Sequence, residues 1–350
     1  MAGDKIRYGY FGTQGDGGEF WQLAENLGVD ALAWGESPTQ FADPYLGMLR
    51  ASQLTKKVMM GTVVTCPGLR HPATHANTLQ ELQKASNGRI FCGIGTGDLA
   101  LIEMGEKPYK MDDFAAYARA VRDLTAGRET EWNGRPLRMT TTPPEKPVPF
   151  WYGADGPRGS QAAGRFGDGI IIAQVGSPDV VRTVIARAKA SAEAAGRSIE
   201  DLDLWFMLRV VPTEKENGAV YVDGLDEYAT RAMRFMWRTA GGPTEGLDEI
   251  LLKQRGYKID PGVAERLCEF NRLWDETKAF NSKFHVELMD KLDLREFAGS
   301  YFFISGSDER IAEGAQALID AGARNFFTPF MVGDRLDNAR RVSKVLNKLR

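Results

Sequence analysis

Val58-Met59-Met60-Gly61-Thr62-Val63-Val64 is a run in which only Gly61 and Thr62 interrupt apolar, mostly β-branched or long side chains. A strand with one face in water alternates apolar with polar residues. A run that is apolar on both faces reads instead as a parallel strand covered by helices on either side. Thr65-Cys66-Pro67-Gly68-Leu69-Arg70-His71 follows as a loop, and a helical pattern over 72–85 then begins at Pro72, where a missing N–H costs nothing. Strand, loop and helix together make one βα unit.

The unit recurs in both directions from this run. Upstream, strands are predicted at 6–11 and 31–34, with helices at 20–27 (ended by Gly28) and 45–54. Downstream come a strand at 90–94, a helix at 113–126, and a polar, proline-rich connection over 130–149. The rhythm resumes with a strand at 150–153, a helix at 158–166, and a strand at 169–173. Val180, Val184, Ile185 and Ala188 then form one helical stripe before a strand at 202–211. Ile311, Ala315, Leu318 and Ile319 mark a helix before the strand at 325–328, and a last helix covers 336–349. Strands alternating with helices predict a parallel sheet with helical crossovers.

The fold class is therefore α/β, a (β/α)8 TIM barrel. Such a barrel takes about 250 residues, which leaves roughly a hundred of this chain to place elsewhere. Residues 212–300 fit that surplus, since they break the alternation and carry Phe235, Trp237, Phe270, Trp274, Phe280 and Gly241-Gly242-Pro243. They read as a helical insertion after strand seven, within one domain spanning 1–350.

Composition narrows the function class. With 44 basic and 47 acidic side chains the net charge is −3, which argues against a nucleic-acid or anionic-membrane surface spread over the chain. No apolar stretch reaches the ~18–20 residues of a membrane span. Met1-Ala2-Gly3-Asp4-Lys5 lacks the apolar core of a signal peptide, and three scattered cysteines do not suggest a secreted disulfide framework. The expectation is a cytoplasmic globular protein acting on a small molecule.

Three constellations could carry chemistry. In Gly153-Ala154-Asp155-Gly156-Pro157-Arg158, a strand runs through a glycine turn into a helix start. Free N–H groups and the positive dipole end make an anion site there, to which Arg158 could add a bidentate contact. An ordinary βα turn would look the same. Gly93-Ile94-Gly95-Thr96-Gly97-Asp98 lets a planar ligand or a phosphate approach bare backbone, but its spacing departs from the Gly-x-Gly-x-x-Gly dinucleotide fingerprint. Asp98 would stand at the C-terminal mouth of a strand, as catalytic group or as helix cap. His71 and His75 are four residues apart, yet no third ligand or His-Glu-x-x-His glutamate accompanies them, so no metal site is expected. Cys66 reads as a small buried residue.

Taken in order, these segments resemble the bacterial luciferase-like flavin- and F420-dependent oxidoreductases, including the methylenetetrahydromethanopterin reductases. The carriers are Gly61-Thr62-Val63-Val64-Thr65-Cys66-Pro67 with Arg70-His71-Pro72, Ser86-Asn87-Gly88-Arg89-Ile90, the Gly93 to Asp98 run, and Val148-Pro149-Phe150-Trp151-Tyr152-Gly153-Ala154-Asp155-Gly156-Pro157 with Gly167-Asp168-Gly169. The resemblance implies a barrel holding FMN or coenzyme F420 at the C-terminal strand ends. It implies a non-prolyl cis peptide near Val63 and Val64 behind the ring, Gly95, Thr96 and Gly97 along the cofactor, and its phosphate at Ala154, Asp155 and Gly156. Asp98 matches an acidic residue near the redox centre.

Strand one, Tyr8-Gly9-Tyr10-Phe11, lacks the glutamate of the methanopterin reductases, which argues against a folate-like substrate. Gly35-Glu36-Ser37 lacks the histidine of the sugar-phosphate dehydrogenases, and Cys66 replaces a common asparagine. The leading expectation is a monooxygenase using reduced FMN and oxygen on a small apolar or aromatic substrate. Such an enzyme would be a homodimer, with a separate flavin reductase supplying reduced FMN. The alternatives are F420-dependent hydride transfer and, from another class, a non-catalytic flavin carrier. The insertion is expected to act as a partly mobile lid that is cut by protease between Pro212 and Leu252.

Overall fold

The computed structural model describes residues 5–12, 17–173, 175–239, 256–275, 277–278, 283–329 and 333–350. Its parallel strands are β1 (Arg7–Phe11), β2 (Ala31–Trp34), β3 (Met59–Thr65), β4 (Ile90–Ile94), β5 (Phe150–Gly153), β6 (Gly169–Ile172), β7 (Asp203–Met207) and β8 (Asn325–Thr328). Each pairs with its sequence neighbour in the barrel, and β8 pairs back onto β1, so the sheet closes. The (β/α)8 barrel expected from the alternation is the observed architecture.

Closure puts every strand between two apolar layers. Ala31, Ala33, Phe91, Trp151, Ile171, Trp205 and Phe327 point inward, whereas Leu32, Met60, Cys92, Tyr152, Ile172 and Phe206 pack under the helices. An eight-strand barrel is just wide enough to be filled by side chains. Here four rings help fill it through three stacked contacts: Phe91 on Trp151 at 4.1 Å, Trp151 on Trp205 at 5.3 Å and Trp205 on Phe327 at 4.3 Å. Glycines clear the room for those rings. A Cβ at Gly61 would lie 2.4 Å from the Phe91 ring, and one at Gly169 would lie 2.6 Å from Trp151.

Helices α1 (Gly18–Asn26), α2 (Pro44–Leu54), α3 (Pro72–Ala85), α4 (Asp98–Glu103), α5 (Met111–Thr125), α6 (Pro157–Phe166) and α7 (Pro178–Glu193) follow the first six strands. Two details differ from the sequence reading. The strand expected over 202–211 is broken: β7 stops at Met207, and Val210–Pro212 leave the barrel to pair with Ile304–Gly306. The last β6 residue, Ile172, already pairs with Phe206, so no ladder continues past Met207 on that side. The connection over 130–149 also holds a hairpin, Thr130–Trp132 with Arg135–Leu137. Its turn is Asn133-Gly134, both at positive φ, which is the dipeptide that favours tight hairpin turns.

Between Pro212 and Ile304 lie α8 (Leu225–Thr239), α9 (Pro261–Arg272), α10 (Phe284–Lys291) and α11 (Arg295–Phe302). Trp274 stacks flat on His285 at 3.6 Å and tilts against Phe270 at 5.7 Å, so these aromatics pack a core of the insertion's own. Phe235 is half-buried. Phe280, the Trp237 side chain and part of the 212–252 window expected to be cut by protease lie outside the described residues. The chain returns through α12 (Asp308–Asp320) to β8 and ends with α13 (Arg335–Asn347). No described helix is long and apolar enough to cross a membrane.

Candidate active site

The C-terminal ends of β3, β4 and β5 meet at one point of the barrel mouth. The Val63–Val64 peptide is cis, where the family resemblance implied one. Across it the β3–β4 register shifts: Thr62 pairs with Cys92 and Thr65 with Ile94, so β3 spends an extra residue there. Val63 faces the apolar barrel top with Met207 and Ile171. Val64 is half-buried and stands against two bare loops. A Cβ at Gly95 would lie 3.0 Å from one Val64 methyl, and one at Gly153 would lie 3.5 Å from the other. Three of the residues singled out in the sequence are thus brought together.

The rest of the β4 loop is tied down by backbone. Gly95 N donates to Thr65 O at 2.8 Å, and Tyr109 N donates to Thr96 O at 2.9 Å. Gly97, at φ +87°, is the N-cap of α4, and among the described residues no side-chain cap hydrogen bond closes that end. Asp98 is therefore the first helical residue, half-buried, which does not match the alternative reading of it as the cap. Beyond Gly97 sit Leu101 and the Cys66 sulfur, each within 3.0 Å of where a Cβ would be. Burial pushes the Cys66 thiol up to about 12, so it stays protonated and is no nucleophile.

At the end of β5, Ala154 is buried and donates to Ile171 O at 3.0 Å, while Asp155 and Gly156 remain half-buried. Gly156 is the N-cap of α6, and among the described residues no side-chain cap hydrogen bond closes that end. Arg158 is exposed. A cation that sequence reasoning missed stands at this helix start. Arg187 of α7 donates from Nε to Ser160 Oγ at 2.9 Å and from Nη2 to Asp155 O at 3.1 Å. Its signal was an arginine on the face that Val180, Val184 and Ala188 mark as inward.

A second polar cluster flanks the mouth beyond β2. Glu36, 7% exposed, accepts from the Arg70 guanidinium and from Thr65 Oγ1. Arg70 also pairs with Asp43 at 2.6 Å and lies 4.3 Å over the Tyr45 ring. The Tyr45 hydroxyl is 2.9 Å from His75 Nε2, His75 Nδ1 is 3.2 Å from the Tyr117 hydroxyl, and that hydroxyl donates to Arg70 O at 2.9 Å. Burial, with the Arg70 cation adding to it, pushes His75 down to about 3, so its imidazole is neutral. His71 instead caps α3, its Nδ1 accepting from Ala73 N at 3.2 Å. The two histidines do not converge, and among the described residues no group of three His, Cys, Asp or Glu side chains could hold a metal. A cleft of about 370 Å³ opens over Glu36, Phe41, Asp43, Leu69, Arg70 and Met104.

This chain is 22% identical to the 5,10-methylenetetrahydromethanopterin reductase of Methanopyrus kandleri, over 84% of its own length and 83% of the reductase. The solved structure of the tetrahydromethanopterin reductase from that organism, described as coenzyme F420 dependent, superposes with a TM-score of 0.73 at 18% identity, covering 99% of each chain. The F420-dependent hydroxymycolic acid dehydrogenase of Mycobacterium tuberculosis is 30% identical over 65% of this chain and 62% of that enzyme. A long-chain alkane monooxygenase shares the fold, with a TM-score of 0.67 at 14% identity, covering all of this chain and 92% of the other. The sequence profile of the luciferase-like monooxygenases matches residues 12–325, and with it the chain belongs to that family.

Proposed function

We propose that the protein is a two-electron oxidoreductase that holds coenzyme F420 at the barrel mouth and moves hydride between it and a small substrate with an apolar or aromatic body. One observation carries this reading: Val64 is wedged between Gly95 and Gly153, beside the uncapped start of α6. A flat ring system needs a wall free of side chains, and a phosphate needs unpaired N–H groups and positive charge. These residues fit both needs. F420 is favoured because the reductase and the dehydrogenase compared above are F420-dependent by description.

In this reading Val63 and Val64 back the ring, and Gly95, Thr96, Gly97 and Gly153 border it. Ala154, Asp155 and Gly156 offer backbone to the phosphate, with Arg187 behind them and exposed Arg158 at the rim. Bound there, F420 supplies hydride chemistry that side chains lack. Asp98 orients the substrate or holds its proton at a carboxylate oxygen. The apolar barrel top beneath Val63 and Met207 keeps water from one side of the reacting atoms.

A second reading, with reduced FMN and oxygen on an apolar substrate, is favoured by the fold shared with the alkane monooxygenase. It would add a separate flavin reductase as partner. Leu46, Leu49 and Leu54 lie exposed along α2. We read them as the contact of a homodimer, which light scattering of Leu46→Glu tests.

Fluorescence titration of the purified protein with F420 and with FMN decides the cofactor. F420 is expected to bind at least tenfold tighter, a difference of about 1.4 kcal/mol. Tighter binding of FMN overturns the F420 reading in favour of the second.

A further inference from the structure

The cleft beside the barrel mouth opens between the loop after β2 and the loop after β3, with Met104 at the end of α4. Its walls are fastened to each other. Glu103, the neighbour of Met104, accepts from Thr39 Oγ1 at 2.8 Å and from Gln40 Nε2, and pairs with Arg231 of α8 at 3.4 Å. Its floor adjoins the wall read above as backing the ring, since Glu36 N donates to Val64 O at 3.4 Å.

The Arg70 guanidinium spans this floor from the β3 loop to the β2 loop. Nη1 donates to Glu36 Oε1, and Nη2 donates to Asp43 Oδ2 at 2.6 Å. The other carboxylate oxygens accept as well, Glu36 Oε2 from Thr65 Oγ1 and Asp43 Oδ1 from Tyr45 N at 2.8 Å. Arginine carries five N–H donors, and these two bonds use one on each Nη. Nε has no hydrogen-bond partner among the described residues and is not sealed from solvent, and 20% of the side chain is exposed. The cleft therefore has donors left to offer, and the ligand atom that meets them is an acceptor.

Charge decides which kind of acceptor. One guanidinium between two carboxylates leaves the local charge at −1. A ligand carboxylate or phosphate would approach a cation already flanked by two like charges, and such juxtapositions are penalised. An ammonium would bring donors to carboxylates that already hold theirs. An uncharged carbonyl oxygen meets neither obstacle. Around it Phe41, Leu69 and Met104 offer apolar surface, and about 370 Å³ falls within the ~300–1,000 Å³ of sites that enclose a small molecule.

We infer that this cleft is a subsite in which Arg70 donates to the neutral carbonyl oxygen of a ketone, ester or amide with an apolar body. The identification of that molecule as the substrate rests on the oxidoreductase reading above; the preference of the cleft for a neutral carbonyl does not. Arg70 is then a specificity-determining residue, and Glu36 and Asp43 hold its fork in place.

Saturation-transfer NMR titration of the full-length, cofactor-free protein at pH 7 compares acetophenone, benzoate and benzylamine, which share a ring and differ in the charge of the polar end. Arg70→Lys keeps a cation between the two carboxylates, so the fold is preserved, and loses the planar fork with its Nε donor. Met104→Trp, at an exposed position, fills the cleft and leaves Arg70 in place. Acetophenone is expected to bind the wild type at least tenfold tighter than either charged probe, and at least fivefold more weakly in each variant. Acetophenone that does not bind, that binds less than tenfold tighter than either charged probe, or that weakens less than fivefold in either variant overturns the inference. Because no cofactor is added, a failed F420 titration leaves this result standing, and the reverse also holds.

Discussion

Arg187 of α7 reaches the hydroxyl of Ser160 on the first turn of α6, Nε to Oγ at 2.9 Å. The same guanidinium holds the carbonyl of Asp155, so a cation is fastened against the helix end that already carries partial positive charge. Neither partner is conspicuous alone. Together they turn a βα turn of ordinary composition into a place suited to phosphate.

Arg187→Met is expected to weaken binding of a phosphate-bearing cofactor about tenfold, or ~1.4 kcal/mol, in the fluorescence titration. Gly156→Asp adds bulk and like charge at the N-cap itself and is expected to lose at least as much. If both variants bind as the wild type does, the phosphate lies elsewhere.

Asp98→Asn tests the residue that opens α4. Asparagine keeps the shape and loses the charge. Turnover is expected to fall tenfold or more while cofactor affinity stays close to wild type, the pattern of an interaction made in the reaction rather than in binding. Normal kcat in the variant would leave Asp98 with a structural role only.

His75 makes stability depend on pH. Burial holds its folded pKa at about 3, against about 6.5 in the unfolded chain. Between those values the unfolded state binds a proton that the folded state refuses. Stability from this source is complete above about pH 6.5 and is lost as pH falls toward 3, at up to about 1.4 kcal/mol per pH unit. Urea midpoints measured near pH 7 and near pH 4.5 are therefore expected to differ more in the wild type than in His75→Gln. Equal differences would rule His75 out as the source.

Gly93→Ala probes the barrel wall. Its Cβ would lie 2.1 Å from the Thr62 carbonyl oxygen and 2.7 Å from Ile171, and the first of these is backbone that cannot swing aside. Overpacking of this kind costs about 1–3 kcal/mol. A drop in Tm of several degrees is expected, while the control Lys189→Ala, at an exposed position inside α7, stays near wild type. A Gly93→Ala protein as stable as the control would mean that the β3–β4 contact relaxes freely.

The barrel was legible because each of its strands is buried on both faces whatever its partners are. That demand is local, and it appears as apolar runs such as β3, divided at regular intervals by helical stripes. The glycine loops after β4 and β5 were legible for a related reason: backbone that must be approached closely cannot carry a Cβ. The Asn133-Gly134 hairpin was written just as locally, but a proline-rich neighbourhood hid it. The exit of Val210–Pro212 was not legible, since an apolar strand reads alike whether it stays in the barrel or pairs with Ile304–Gly306 outside it. Arg187 with Ser160, Glu36 with Arg70, and His75 between Tyr45 and Tyr117 belong to the tertiary structure alone. Their partners lie 27 to 42 residues apart along the chain. Hydrogen bonding between side chains has no period, and which donor meets which acceptor is decided only when the closing barrel brings the helices side by side.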